Sequence, residues 1–172
     1  MTSDQPTRLW GGRFKGGPAD AMAALSASVH FDWRLAPYDI EQTRAHAKVL
    51  QAAGLLPADE LVLVDSALTE IAAAVVSGAM VPDARDEDVH TAIERALIER
   101  LGDLGGKLRA GRSRNDQVAT DFRMYLRDHA RFIAVAVIDL MDAFVVQAEQ
   151  HVETFSPGFT HLQHAQPVSF GH

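Results

Sequence analysis

Residues 113–154 read SRNDQVATDFRMYLRDHARFIAVAVIDLMDAFVVQAEQHVET, without a proline or a glycine. Val118, Phe122, Tyr125, Leu126, Phe132, Ile133, Val137, Leu140, Phe144 and Ala148 recur mainly at spacings of three and four, the period of one face of an α-helix. About 40 residues rising about 1.5 Å each make a rod of about 60 Å. An uninterrupted pattern of this length belongs to a bundle, a coiled coil or a helical array. Short helices alone cannot cover such a stripe. Its partner surface is therefore expected in further chain, in other subunits, or in both.

Upstream, helices of ordinary length are expected. Asp20–Ala27 is a short Ala-rich candidate. A second runs from Pro37 to Ala53, with proline in its first turn and Gly54 as its stop. Leu61, Val64, Leu68, Ile71 and Val75 mark a third over Ala58–Ser77, stopped by Gly78. Val89, Ile93, Leu97 and Leu101 mark a fourth over Glu87–Leu101, with Asp86 as the expected N-cap and Gly102 as the stop. The first 18 residues, with Trp10-Gly11-Gly12-Arg13-Phe14 and Gly16-Gly17-Pro18, read as a loop-forming arm. Downstream, Ser156-Pro157-Gly158 breaks the long helix. Residues 158–167 then read as a turn between helical segments, and Gln166 to His172 as the approach to a further helix, so a longer polypeptide is expected.

The composition agrees with a helical globular protein. Of the 172 residues 47% are apolar and 23% charged, and aromatics make up only 7%, which suits a domain with its own core. With no cysteine, disulfides and thiolate metal sites are excluded. A net charge of −7 argues against nucleic-acid binding, which needs a basic face. The polar N-terminus lacks a signal-peptide pattern and no apolar run reaches the length of a membrane span. A cytoplasmic protein that binds neither membrane nor nucleic acid is expected.

Three segments carry chemistry. Gly105-Gly106-Lys107-Leu108-Arg109-Ala110-Gly111-Arg112-Ser113-Arg114-Asn115-Asp116-Gln117 places four cationic side chains between Lys107 and Arg114. It feeds the N-terminus of the long helix, where unpaired N–H groups and the helix dipole favour anions. Arginine forks suit carboxylates. A solvated basic turn capped by Ser113 accounts for the same residues, and the pattern alone leaves both open. Gly158-Phe159-Thr160-His161-Leu162-Gln163-His164-Ala165-Gln166-Pro167 offers imidazoles for proton traffic near neutral pH. Two neighbouring histidines without thiols are weak grounds for a metal, and backbone-bonded loop histidines are the simpler alternative. In Asp86-Glu87-Asp88-Val89-His90-Thr91 the acids suit a helix first turn. His90 falls one residue off the apolar stripe, at the edge of the expected buried face. Ser26-Ala27-Ser28-Val29-His30 is weaker still, since paired serines after a helix are commonly local caps.

Together these segments resemble argininosuccinate lyases in order and spacing. The resemblance rests on Leu9 to Phe14, Glu87 to Glu94, Gly111-Arg112-Ser113-Arg114-Asn115-Asp116-Gln117, and Thr160 to Pro167, and covers nearly the whole chain. The last stretch is shared with delta-crystallins, lens proteins derived from the lyase. The resemblance implies an all-α fold of the fumarase and aspartase superfamily. An N-terminal arm and helical domain would span residues 1–111, and the first long helix of a central helical bundle would begin residues 112–172. It implies a homotetramer with active sites shared between subunits. The implied reaction is the reversible anti elimination of argininosuccinate to arginine and fumarate, in arginine biosynthesis. His161 matches the proton-transfer histidine. Ser28, Arg114, Asn115 and Thr160 match substrate-binding residues, Asp88 and His90 match further active-site residues, and the Trp10–Phe14 arm matches a segment near the substrate. No metal or cofactor is implied, because the substrate carboxylate acts as the electron sink. The family's mobile serine loop and the glutamate that partners the histidine have no counterpart here. This segment alone is therefore expected to be inactive. A delta-crystallin-like structural homologue, or a related lyase releasing fumarate from another adduct, are the alternatives.

Overall fold

The computed structural model describes residues 19–83 and 86–172. The Trp10–Phe14 arm lies outside the described residues. The chain divides into two compact units, Met1–Tyr125 and Leu126–His172.

The first unit is helical. It comprises α1 (Asp20–Ser26), α2 (Val29–Asp32), a 3-10 turn (Trp33–Leu35), α3 (Ala36–Ala52), α4 (Ala58–Ser77), α5 (Val89–Leu101), α6 (Asp103–Lys107) and the first turns of α7 (Arg114–Gln150). Helix α4 matches its expected bounds to the residue. It ends at Gly78, whose φ of 73° is the left-handed cap that glycine adopts without steric cost. The core is built from the expected stripes: Ile40, Ala47 and Leu50 of α3, Val64, Leu68 and Ile71 of α4, and Val89, Ile93 and Leu97 of α5. Leu56 and Leu108 close it. Burying each such side chain stabilises by roughly 1.5–3 kcal/mol. Gly105 of α6 lets that helix lie against α5, since a Cβ there would meet the Leu97 carbonyl oxygen at 2.8 Å.

The start of α5 differs from expectation. Asp88, not Asp86, is its N-cap: Oδ1 accepts from the Thr91 backbone N–H at 2.6 Å and from the Thr91 hydroxyl at 2.7 Å. Asp86 is committed elsewhere. Its carboxylate takes a two-pronged fork from Arg95, with Nε at 2.9 Å and Nη2 at 2.7 Å, and accepts the Asp83 N–H at 2.8 Å. A carboxylate saturated in that way cannot also cap, so the helix begins at the next aspartate able to do so.

The second unit holds the rest of α7 and a hairpin of β1 (Phe155–Thr160) and β2 (Gln163–Ser169). The hairpin takes the place of the turn expected over residues 158–167 and of the approach to a helix expected from Gln166 to His172. Phe155 pairs with Ser169 and Thr160 with Gln163, with a register shift between Pro157 and Phe159. At that shift Gly158 permits close approach, because a Cβ would meet the Gln166 carbonyl at 2.8 Å. Prolines 157 and 167 face each other across the ladder. A two-stranded sheet tolerates them because both strands are edges. The hairpin is tied back to the end of α7 by the Phe170 N–H on Thr154 at 2.7 Å and the Gly171 N–H on His151 at 3.0 Å. Phe132, Ile133, Leu140 and Phe144 of α7 are all more than half exposed. Among the described residues, no helix is long and apolar enough to cross a membrane.

Candidate functional site

In the first unit α3, α5 and the segment leading into α7 enclose a cleft of about 400 Å³. The chain reaches it through a tight sequence of caps. Ser113 precedes α7: its Oγ accepts the Asn115 N–H at 3.3 Å, while the Asp116 carboxylate accepts the Ser113 N–H at 3.3 Å. This reciprocal arrangement is a capping box with aspartate in place of glutamate. The capped-turn reading of Ser113 therefore holds together with a cleft at the same place.

Of the four cations in this segment, three line the cleft. Lys107 instead binds Glu60 of α4, with Nζ at 2.7 Å and 2.8 Å from the two carboxylate oxygens. Arg109 lies 3.2 Å from Glu94. Arg112 donates to the Thr43 hydroxyl at 3.0 Å and to the side-chain carbonyl of Gln42, and its Nη2 lies 3.7 Å from Asp39. Arg114 is held on several sides: Nε is 3.4 Å from Asp88, Nη2 is 3.8 Å from Glu94, and Nη1 donates to Gln117 at 3.2 Å. Each guanidinium thus sits beside a carboxylate of α3 or α5, and these pairs seat the start of α7.

Ser28 joins the same end of α5. Its backbone N–H donates to the Glu87 carbonyl at 2.8 Å, and its Oγ donates to Asp32 at 2.6 Å. Asp32 in turn accepts the Val89 N–H at 3.1 Å. Ser28, Asp88, His90 and Arg114 are therefore linked through one helix end, and Asn115 lies exposed on the cleft lining. Thr160 and His161 belong to the second unit. They sit at the hairpin turn and are exposed. His161 and Leu162 both have positive φ, 46° and 62°, the left-handed pair that a two-residue hairpin turn demands.

His90 is not at the edge of the buried face but wholly inside, because two acids that the sequence pattern did not flag receive it. Its Nδ1 lies 3.0 Å from Asp39 Oδ1 and 3.5 Å from Asp121 Oδ2. Gln42 donates to Asp121 Oδ1 at 2.8 Å, and Gln117 to Asp39 at 3.4 Å. Burial works against ionisation of Asp39, but the hydrogen bond and charge of His90 and the charge of Arg112 hold its pKa below the ordinary carboxylate value. At Asp121 burial and the neighbouring charge of Asp39 act together and push the pKa up to about 8. Burial also lowers the pKa of Arg112, with Asp39 and Asp121 opposing that change. By composition, Asp39, His90 and Asp121 are the one grouping among the described residues suited to a divalent ion. The guanidinium and two amides directed at these carboxylates already supply the positive charge and donors that an ion would bring.

Three arginines, the Asn115 amide and the N-terminus of α7 thus line one cleft, an arrangement suited to holding an anion.

The chain is 66% identical over 165 residues to argininosuccinate lyase of Frankia casuarinae, covering 96% of this chain and 36% of that protein. It is 66% identical to argininosuccinate lyase of Streptomyces coelicolor, covering 96% and 35%. The chain thus spans about a third of the length of these curated relatives. Among solved structures, an EDDS lyase variant with bound fumarate matches with TM-score 0.68 and 29% identity, over 91% of this chain and 31% of that one. The 3-carboxy-cis,cis-muconate lactonizing enzyme from Pseudomonas putida matches in fold, with TM-score 0.60 and 23% identity over 89% and 34%. The family model described as lyase matches residues 12–172, and the chain belongs to that lyase family.

Proposed function

We propose that the full-length protein is an argininosuccinate lyase, catalysing the reversible anti elimination of argininosuccinate to arginine and fumarate. The carrying observation is the placement of Arg114 and Asn115 at the N-terminus of α7, linked through α5 to Asp88, His90 and Ser28. Relatives identical to this chain at about two thirds of the aligned positions bear that enzyme's name.

In this reading a base removes a proton from the carbon next to a succinyl carboxylate. The electron pair is held by that carboxylate and then forms the double bond of fumarate as the carbon–nitrogen bond breaks. The departing nitrogen takes up a proton to give arginine. Asn115, Thr160, Ser28 and the cations of the cleft bind the carboxylates and stabilise the developing charge. Asp88 and His90 order the wall of the site. Arg114, which Asp88 and Glu94 flank in this structure, is one of these substrate-binding cations. His161 handles the proton, and no metal or cofactor takes part.

Residues 1–111 form the N-terminal domain and residues 112–172 begin a central bundle. The assembly is a cytoplasmic homotetramer that completes each site from neighbouring subunits and covers the apolar stripe of α7. It binds neither nucleic acid nor membrane. The test is the appearance of fumarate absorbance when purified full-length protein meets argininosuccinate. A folded tetramer that releases none rejects the reading, and a panel of other fumarate adducts separates the related lyases.

A further inference from the structure

Asp121 is the one buried residue in the described length of α7, and it is an acid. Its side chain is fully removed from solvent, where an isolated carboxylate is costly. Oδ1 accepts from Gln42 at 2.8 Å, but Oδ2 has no hydrogen-bond donor. The nearest candidate is His90 Nδ1 at 3.5 Å, and that atom lies closer to Asp39, at 3.0 Å. A ring nitrogen carries a single hydrogen. It therefore serves Asp39, and Asp121 Oδ2 is left without a partner unless it bears a proton and is itself the donor.

Counting charge gives the same answer. The groups facing Asp121 are Asp39 and Gln42 from α3, His90 from α5, Arg112 from the preceding loop and Gln117 from α7 itself. Arg112 lies beside Asp39, so ionising Asp121 as well sets a second buried carboxylate against the first. Two carboxyls in one buried site resist ionising together.

We propose that Asp121 is a positioning residue carried as a neutral carboxylic acid, whose proton, shared with Asp39, seats the His90 imidazole in the cleft and fastens the start of α7 to α3 and α5. Its consequence for turnover rests on the lyase reading; the protonation itself does not, and is tested without activity. The raised pKa of Asp121 then sets a sign. The unfolded chain releases this proton near the ordinary carboxylate value while the folded protein keeps it, so raising the pH favours unfolding until the folded group also ionises.

The experiment compares full-length wild type with Asp121→Asn, a neutral isostere whose amide can donate to Asp39. Denaturant unfolding is followed across the pH range. Relative to the variant, the wild type should lose up to about tenfold in its folding equilibrium per pH unit between about pH 5 and about pH 8, then level off. Parallel curves for the two proteins would overturn the proposal. Should the variant fail to fold, the wild type alone decides through its infrared spectrum. A protonated-carboxyl stretch should be present at neutral pH and vanish at alkaline pH, and its absence at neutral pH overturns the proposal. One divalent ion bound per chain in the wild type and lost in a folded Asp121→Asn would also overturn it, by assigning the cluster to a metal.

Discussion

His90 and Asp39 meet at 3.0 Å with 2% and 1% of their side chains exposed, which locks α5 to α3 by a buried polar contact beside the apolar core. Removing one partner of such a contact leaves the other buried with its charge less compensated, at a cost of about 3–5 kcal/mol. Here Arg112 and Gln117 also face Asp39, so the lower end applies. His90→Phe is expected to lose about 3 kcal/mol in denaturant unfolding, and His90→Gln, which can still donate, distinctly less. Equal and small losses in both variants would remove the contact from the stability of the fold.

The same contact predicts a behaviour in acid. The folded pKa of Asp39 is depressed, because His90 and Arg112 outweigh its burial. A depressed carboxylate stabilises the fold above its unfolded pKa, and that contribution disappears as pH falls through the folded value. Unfolding midpoints should therefore drop below about pH 4 in the wild type and drop less in Asp39→Asn. An acid limb as steep in the variant would assign it to other carboxylates.

Much of the helical frame was legible because its signals are local. Stripes at spacings of three and four, prolines in first turns and glycines after last turns located α3 and α4 to within a residue. The start of α5 was not legible. Two aspartates compete for one cap, and Arg95 decides between them from nine residues away. The hairpin was hidden by Pro157 and Pro167, which count against strands, and by a turn that lacks the usual asparagine or glycine. In the site, family likeness points to Asp88, His90 and Arg114, whereas Asp39 and Asp121 belong to no motif and show only as acids beside Ile40 and Phe122. That position was itself a signal, since an acid on the buried face of a helix must have a partner. Only the packing of α3, α5 and α7 reveals which.

The apolar face of α7 predicts association. Phe132, at 68% exposure, and Phe144, at 66%, belong to a contiguous stripe of a kind that lone folded chains rarely present to water. The isolated 172-residue segment should therefore self-associate in sedimentation experiments. In the full-length protein, Ile133→Glu or Leu140→Glu should dissociate the proposed tetramer. A monodisperse monomer of the isolated segment would show that the stripe needs no cover.

The hairpin turn makes the sharpest prediction about chemistry. His161 and Leu162 occupy left-handed backbone at φ 46° and 62°, a conformation that costs an ordinary residue roughly 1–2 kcal/mol. Leu162 is 95% exposed, so its side chain returns little of that cost. Leu162→Gly should therefore stabilise the full-length protein by about 1 kcal/mol. At His161 asparagine is the informative substitution, because it tolerates left-handed backbone and keeps polarity while removing the imidazole. Proton transfer by a placed side chain contributes about 10²–10⁴-fold to rate. His161→Asn should lose turnover of that order, with KM and unfolding midpoint near those of the wild type. The hairpin turn accounts for the left-handed backbone, so wild-type turnover in His161→Asn would take the imidazole out of the reaction.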